Sequence, residues 1–268
     1  MKRMLIILGN QTSGEKIILM SAEFELAVQN AAGVRIACDL GAARVELAQA
    51  LSLGGLTPSR GTLESVLEEA EGSSTEVHVL VRPRAGDFHY DSDEIDVVVR
   101  DIRDILAAGA HGVVVGCQDA TGALDQGALA RIMDAAGGAS VTLHRVIDVT
   151  PDPIAALRTV RGLGVRRILS SGGTSRAVDG LDVLRALVTE ADGAIEVMAG
   201  GGIDAVGVAA VAASGVDAVH FSAKRTIIAA GAVRMGSASD GIGSYEITDH
   251  DTARTIVAAM RHTASSAA

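Results

Sequence analysis

The chain has 268 residues, 48% of them hydrophobic and only 2% aromatic, with 31 glycines, four prolines and a formal charge of −10 from 23 basic and 33 acidic side chains. So much apolar content with aperiodic glycines excludes disordered and collagen-like chains. The acidic balance, without any basic patch, argues against nucleic acid and anionic lipid as partners, and no stretch approaches the ~20 apolar residues of a membrane span.

Along the chain, the apolar run Met4 to Leu8 is shorter than a secretory core, so residues 1–21 read as a poorly ordered extension and not as an export signal. Cys38 and Cys117 lack CxxC spacing and sit in apolar or Gly-rich surroundings, which fits small buried residues in a reducing, cytoplasmic setting. From residue 22 to 262 short β-branched runs alternate with longer helical stretches. The candidate strands are residues 23–28, 44–47, 77–81, 112–115, 140–144, 166–170, 195–199 and 217–221. Between them, 95–108 carries Ile95, Val98, Val99, Ile102 and Leu106 on one helical face. Residues 153–163 open on Asp152-Pro153, a helix-start signature. Linkers through Gly109, Gly164 and Gly215 look like helix stops. Eight strands and eight returns predict an α/β fold of one (β/α)8 TIM barrel, with 263–268 as a frayed tail. A doubly wound sheet fits less well, because no Gly-x-Gly-x-x-Gly follows the first strand.

In such a barrel, chemistry belongs just past the strand ends. Polar clusters stand there: Arg82-Pro83-Arg84 with Asp87, His144-Arg145 with Asp148, Ser171-Gly172-Gly173, Gly200-Gly201-Gly202, and His220 with Ser222. Glycine lets backbone N–H groups approach an anion closely, so the last loops predict a small phosphorylated or carboxylated ligand; tight turns at a crowded rim are the alternative. Arg82 and Arg84 suit a bidentate grip on carboxylate or phosphate, unless Asp87 merely braces the loop with one of them. His144, Arg145 and Asp148 together offer an acid or base, a clamp and an orienting carboxylate. Glu25 and Glu46 are unexpected in barrel strands. One should be held by an arginine of the third or fifth strand, and one should have a raised pKa and act as an acid.

The motifs Glu46-Leu47, Leu53-Gly54-Gly55-Leu56-Thr57-Pro58-Ser59, Arg82-Pro83-Arg84 with Gly86-Asp87-Phe88-x-Tyr90, Asp125, His144-Arg145-x-x-Asp148, Ile168-Leu169-x-Ser171-Gly172-Gly173, Met198-x-Gly200-Gly201-Gly202 and His220-x-Ser222-Ala223 resemble, in order, the CutC family of copper-homeostasis proteins. The resemblance spans residues 23–223 and implies a TIM barrel and cytosolic copper handling. It implies Cu(I) ligation by cysteines at the ends of the first and second strands, where this chain has Ala27 and Ala48. Copper is the cofactor the family name implies, but Cu(I) selects soft thiolate or thioether ligands, so no metal ligands are expected here. The alternative is an enzyme or sensor acting on a small anionic molecule at the rim. A homo-oligomer is among the states the sequence leaves open.

Overall fold

The computed structural model describes residues 6–7, 18–19, 22–228 and 244–266, with side chains described over 22–228 and 244–261. Of the expected extension, Ile6–Ile7 and Ile18–Leu19 form a two-residue antiparallel ladder; the rest of residues 1–21 lies outside the described residues.

Eight parallel strands close into a barrel: β1 (Glu23–Val28), β2 (Arg44–Leu47), β3 (Glu76–Leu80), β4 (Gly112–Val115), β5 (Ser140–Leu143), β6 (Arg167–Ser170), β7 (Glu196–Gly200) and β8 (Ala218–Phe221). The order around the barrel follows the chain, and β8 pairs with both β7 and β1. All eight expected strands are present, with ends within one residue of those read from the sequence. Between them run α1 (Ala31–Leu40), α2 (Arg60–Ala70), α3 (Ser92–Ala107), α4 (Gln126–Ala136), α5 (Pro153–Leu163), α6 (Leu181–Ala191), the short α7 (Val208–Ala212) and, after β8, α8 (His250–Ser266). Helix α8 extends into the segment assigned to a tail, and residues 267–268 lie outside the described residues. A hairpin not anticipated from the sequence, β9 (Lys224–Ile228) with β10 (Ser244–Thr248), intervenes between β8 and α8.

Local chemistry accounts for the helix limits. Asp91 accepts from the Glu94 N–H while Glu94 reaches back to the Asp91 N–H, closing a capping box at the start of α3. Asp152 caps α5 ahead of Pro153, and Gly164 ends it at φ +86°, where a side chain would be strained.

Alternation along the strands sorts the barrel into two environments. Leu26, Val45, Val79, Val113, Leu143, Ile168, Val197 and Val219 face outward into the main core with the helices. The interior is different. It holds only two small apolar clusters, Ala48–Leu80–Val114 and Leu169–Met198–Ala218, beside a charged belt near the N-terminal ends of the strands. In that belt Arg44 contacts Glu23 and Glu25, Arg167 donates to Thr142 and pairs with Glu196, and His78 meets Glu76. In the sequence only Glu25 and Glu46 stand out as anomalous. Arg44, His78 and Arg167 share the inward register, so their charges have partners that local inspection misses.

Candidate functional site

A cavity of about 780 Å3 opens at the C-terminal mouth of the barrel. Glu46 and His220 form part of its floor, Arg82, Phe88, His144 and Arg145 one wall, and Gly201–Ala205 with Ser222–Lys224 another. Helix α8 contributes Asp251, Thr252, Thr255 and Ile256, residues that no local motif marks for the site.

The floor is built by barrel closure. His220 on β8 and Glu25 on β1 are direct cross-strand partners, 195 positions apart in the chain. The Nδ1 of His220 lies 2.8 Å from Glu25 Oε1, and Arg44 Nε donates to Glu25 Oε2 at 3.2 Å. Burial pushes the Glu25 carboxyl up, but the His220 hydrogen bond and the charges of His220 and Arg44 outweigh it and hold it at about 2. Burial likewise opposes charge on His220, yet Glu46 and Glu25 hold its pKa above the ordinary value. Glu46 is 6% exposed, and its carboxyl has no hydrogen-bond partner among the described residues. Burial raises it to about 7, with Glu25 adding to the effect and His220 opposing it. The two carboxyls therefore sit in different environments, Glu25 held by an arginine and Glu46 with a raised pKa. The arginine is Arg44 on β2 and not a residue of the third or fifth strand, because Arg44 is the direct register partner of Glu25 across the β1–β2 pair.

Three expectations need correction. His144 is oriented by the main chain and not by Asp148: its Nδ1 accepts from the Val146 N–H at 3.1 Å. Burial, with the nearby Arg82 charge, drives His144 down to about 3, well below the near-neutral value expected of it. Asp148 turns the other way, because the 3-10 turn Arg145–Val149 carries it toward the loop after β6. There it accepts from Ser170 Oγ (2.6 Å), Ser171 N (2.9 Å), Ser171 Oγ (2.8 Å), Gly173 N (3.2 Å) and Arg145 Nε (2.9 Å).

The second correction follows from that hub. The Ser171 and Gly173 N–H groups are consumed by Asp148, and the Gly172 N–H by Ser170 Oγ, so this loop holds an internal carboxylate and does not line the cavity. Third, Arg84 and Asp87 form a loop brace outside the cavity wall, Arg84 bonding Asp87, Glu94 and the His89 carbonyl. Arg82 does line the cavity, but its guanidinium is fixed on the Leu53, Gly55 and Gly86 carbonyls and lies 5.2 Å from the Phe88 ring centre. After β7 the glycines lead into a turn. Asp204 first bonds the Val206 and Gly207 N–H groups, and α7 begins only at Val208. Gly201 and Gly202 line the cavity while Gly200 ends the strand.

As for metals, Glu25, Glu46 and His220 each offer a donor atom within 4.8 Å of the others, the one such group among the described residues. Both oxygens of Glu25 are already engaged by Arg44 and His220, which leaves two free donors, fewer than a closed site uses. Ala27 lines the cavity and Ala48 is buried beside Leu80. Cys117 is buried outside the cavity lining, its thiol pushed up to about 12 by burial and by Asp125, and Cys38 is half-buried on α1. No thiolate or thioether faces the cavity among the described residues, so the donor set does not suit Cu(I). A Cu(I) titration against a competing chelator is expected to show no stoichiometric high-affinity site; one equivalent held tightly would overturn this.

The CutC family profile matches residues 22–225. The chain is 39% identical over 250 residues to the family protein CutC of Xylella fastidiosa (strain Temecula1), covering 92% of this chain and 91% of that one. It is 38% identical over 234 residues to the family protein CutC of Xanthomonas campestris pv. campestris (strain B100), covering 87% and 96%. Among solved structures it resembles a CutC from Streptococcus agalactiae, provisionally named for copper homeostasis, with a TM-score of 0.68 and 27% identity over 74% of this chain and 97% of that one. A thiamine phosphate pyrophosphorylase from Pyrococcus furiosus, 15% identical with a TM-score of 0.55, shares the fold alone. Profile, relatives and barrel agree: the chain belongs to the CutC family.

Proposed function

We propose that the protein is an enzyme that binds a small phosphorylated or carboxylated molecule in the cavity and moves a proton within it, with Glu46 as the base. One observation carries this reading: a buried carboxyl without a hydrogen-bond partner among the described residues stands on the cavity floor beside a histidine already oriented by a second carboxylate. Two carboxyls whose environments push their pKa values apart divide the labour of acid–base chemistry. Glu25 stays ionised and fixes His220 through Nδ1, which leaves Nε2 for the cavity. Glu46, poised near neutrality, accepts a proton from a carbon next to a carbonyl. The electron pair moves to the carbonyl oxygen, and His220 donates a hydrogen bond to the charge that develops there.

Family membership also brings the copper-homeostasis reading, which the cavity's donor atoms do not favour. The experiment is solvent exchange. Incubated in D2O with a panel of phosphorylated and carboxylated metabolites, the wild type should replace one carbon-bound proton of its ligand, seen as loss of a 1H NMR signal. Glu46→Gln should slow this by ~10²–10⁴-fold. No exchange across the panel, or exchange unchanged by Glu46→Gln, would overturn the assignment.

A further inference from the structure

The two glycine loops on adjacent strand ends differ in what their N–H groups meet. The loop after β6 closes on the carboxylate of Asp148. The main-chain N–H groups of Gly201, Gly202 and Ile203 after β7, and of Ser222 and Ala223 after β8, have no partner among the described residues, although all five residues line the cavity. Arg145 reaches this wall from β5. Its Nε and Nη2 are fixed by Asp148, Ser171 and the Thr174 carbonyl, while Nη1 has no partner among the described residues. A Cβ placed on Gly201 would stand 3.2 Å from that Nη1, so the absent side chain keeps the guanidinium edge open beside the loop. Gly201 and Gly202 have φ of +113° and +59°, conformations that a side chain would strain, so the backbone itself forms this part of the wall.

We propose that this wall, made of the loops after β7 and β8 with Arg145, binds a phosphoryl group. The inference deepens the proton-transfer reading by naming the class of ligand, a small phosphate monoester whose far end reaches Glu46 and His220. Donor number favours phosphoryl over carboxylate. Five N–H groups, the Ser222 hydroxyl and a guanidinium edge exceed the roughly four lone-pair sites of a carboxylate and suit three terminal phosphate oxygens. Lys224 adds a cation at the mouth, shared with Glu246. Besides Glu46 on the floor, two carboxylates face the same cavity, and each of these has its own cationic partner: Asp204 with Arg176 at 2.8 Å, and Asp251 with Arg254 at 3.1 Å.

The test uses inorganic phosphate, sulfate and acetate on the full chain. In 15N-labelled wild type, phosphate and sulfate should shift the amide signals of Gly201, Gly202, Ile203, Ser222 and Ala223 in a saturable way. Calorimetry should give phosphate at least ten-fold tighter binding than acetate. Arg145→Gln should weaken phosphate at least ten-fold, while Arg158→Gln, which removes a surface pair with Glu190, should change nothing. The amide shifts need no variant and so remain decisive if Arg145→Gln misfolds. Saturable shifts confined to other residues, acetate binding as tightly as phosphate, or no binding at all would overturn the phosphoryl site. Solvent exchange into carboxylates without phosphate binding would remove this inference and leave proton transfer standing; phosphate binding without exchange in any ligand would do the reverse.

Discussion

Asp148→Ala is expected to lower stability by about 3 kcal/mol or more, because several donors lose their shared acceptor at once, each at roughly 1–3 kcal/mol where buried. Its carboxylate gathers the Ser170 and Ser171 hydroxyls, the Ser171 and Gly173 N–H groups and the Arg145 guanidinium, and only 5% of the side chain is exposed. Without it, several donors in the loop after β6 lose their acceptor together. His144→Ala should cost less, about 1–3 kcal/mol, because it strands chiefly the Val146 N–H. Chemical denaturation of both variants gives the order directly. If His144→Ala proves the more damaging, Asp148 is not the hub of this rim.

A second large effect should appear in the pH dependence of stability. Glu46 binds its proton more tightly in the folded protein, near 7, than at its ordinary value of 4.5. Its contribution is therefore fully present below pH 4.5 and is lost as pH rises toward 7. The folded state binds more protons than the unfolded chain across that window, so stability must fall through it. At up to about 1.4 kcal/mol per pH unit, the fall amounts to about 3 kcal/mol. His220, whose pKa is raised in part by Glu46, titrates in the same direction, so the difference between wild type and variant reports Glu46 together with its effect on His220. Urea unfolding at pH 5 and pH 8 should show the wild type losing about 3 kcal/mol more than Glu46→Gln. Parallel profiles would mean that Glu46 is ionised in the fold at neutral pH.

How far the sequence reveals this molecule depends on the range of the interaction. Val113-Val114-Val115 reads as a strand because β-branched runs pack on both faces of a covered parallel sheet, and Asp152-Pro153 reads as a helix start because capping is local. The division between Glu25 and Glu46 is legible for the same reason, since charges inside barrel strands need either a partner or a use. The partners are less legible. His144 and Asp148 are four residues apart, which invites pairing them, yet the intervening turn sends the carboxylate to β6. The histidine with an orienting carboxylate is His220, and its neighbour in space lies at the other end of the barrel sequence. The glycine loops are a third kind of case. Composition marks them as sites where backbone can approach an anion, but only the fold shows that one of them already encloses Asp148.

The seam between β1 and β8 has a consequence for opening of the barrel. Strands β1 to β4 carry Glu25 and Glu46, whereas β5 to β8 carry His220, Arg145 and both loops of the phosphoryl wall. A local unfolding event that parts β8 from β1 separates the histidine from its carboxylate and dismantles the floor. A ligand that needs both halves binds only the closed form and must suppress that event by mass action. Amide hydrogen exchange across the pairs Val219–Phe24 and Phe221–Leu26 should therefore slow when the site is filled, while exchange between β4 and β5 stays as it was. In this barrel the last strand to be made is the one a ligand locks.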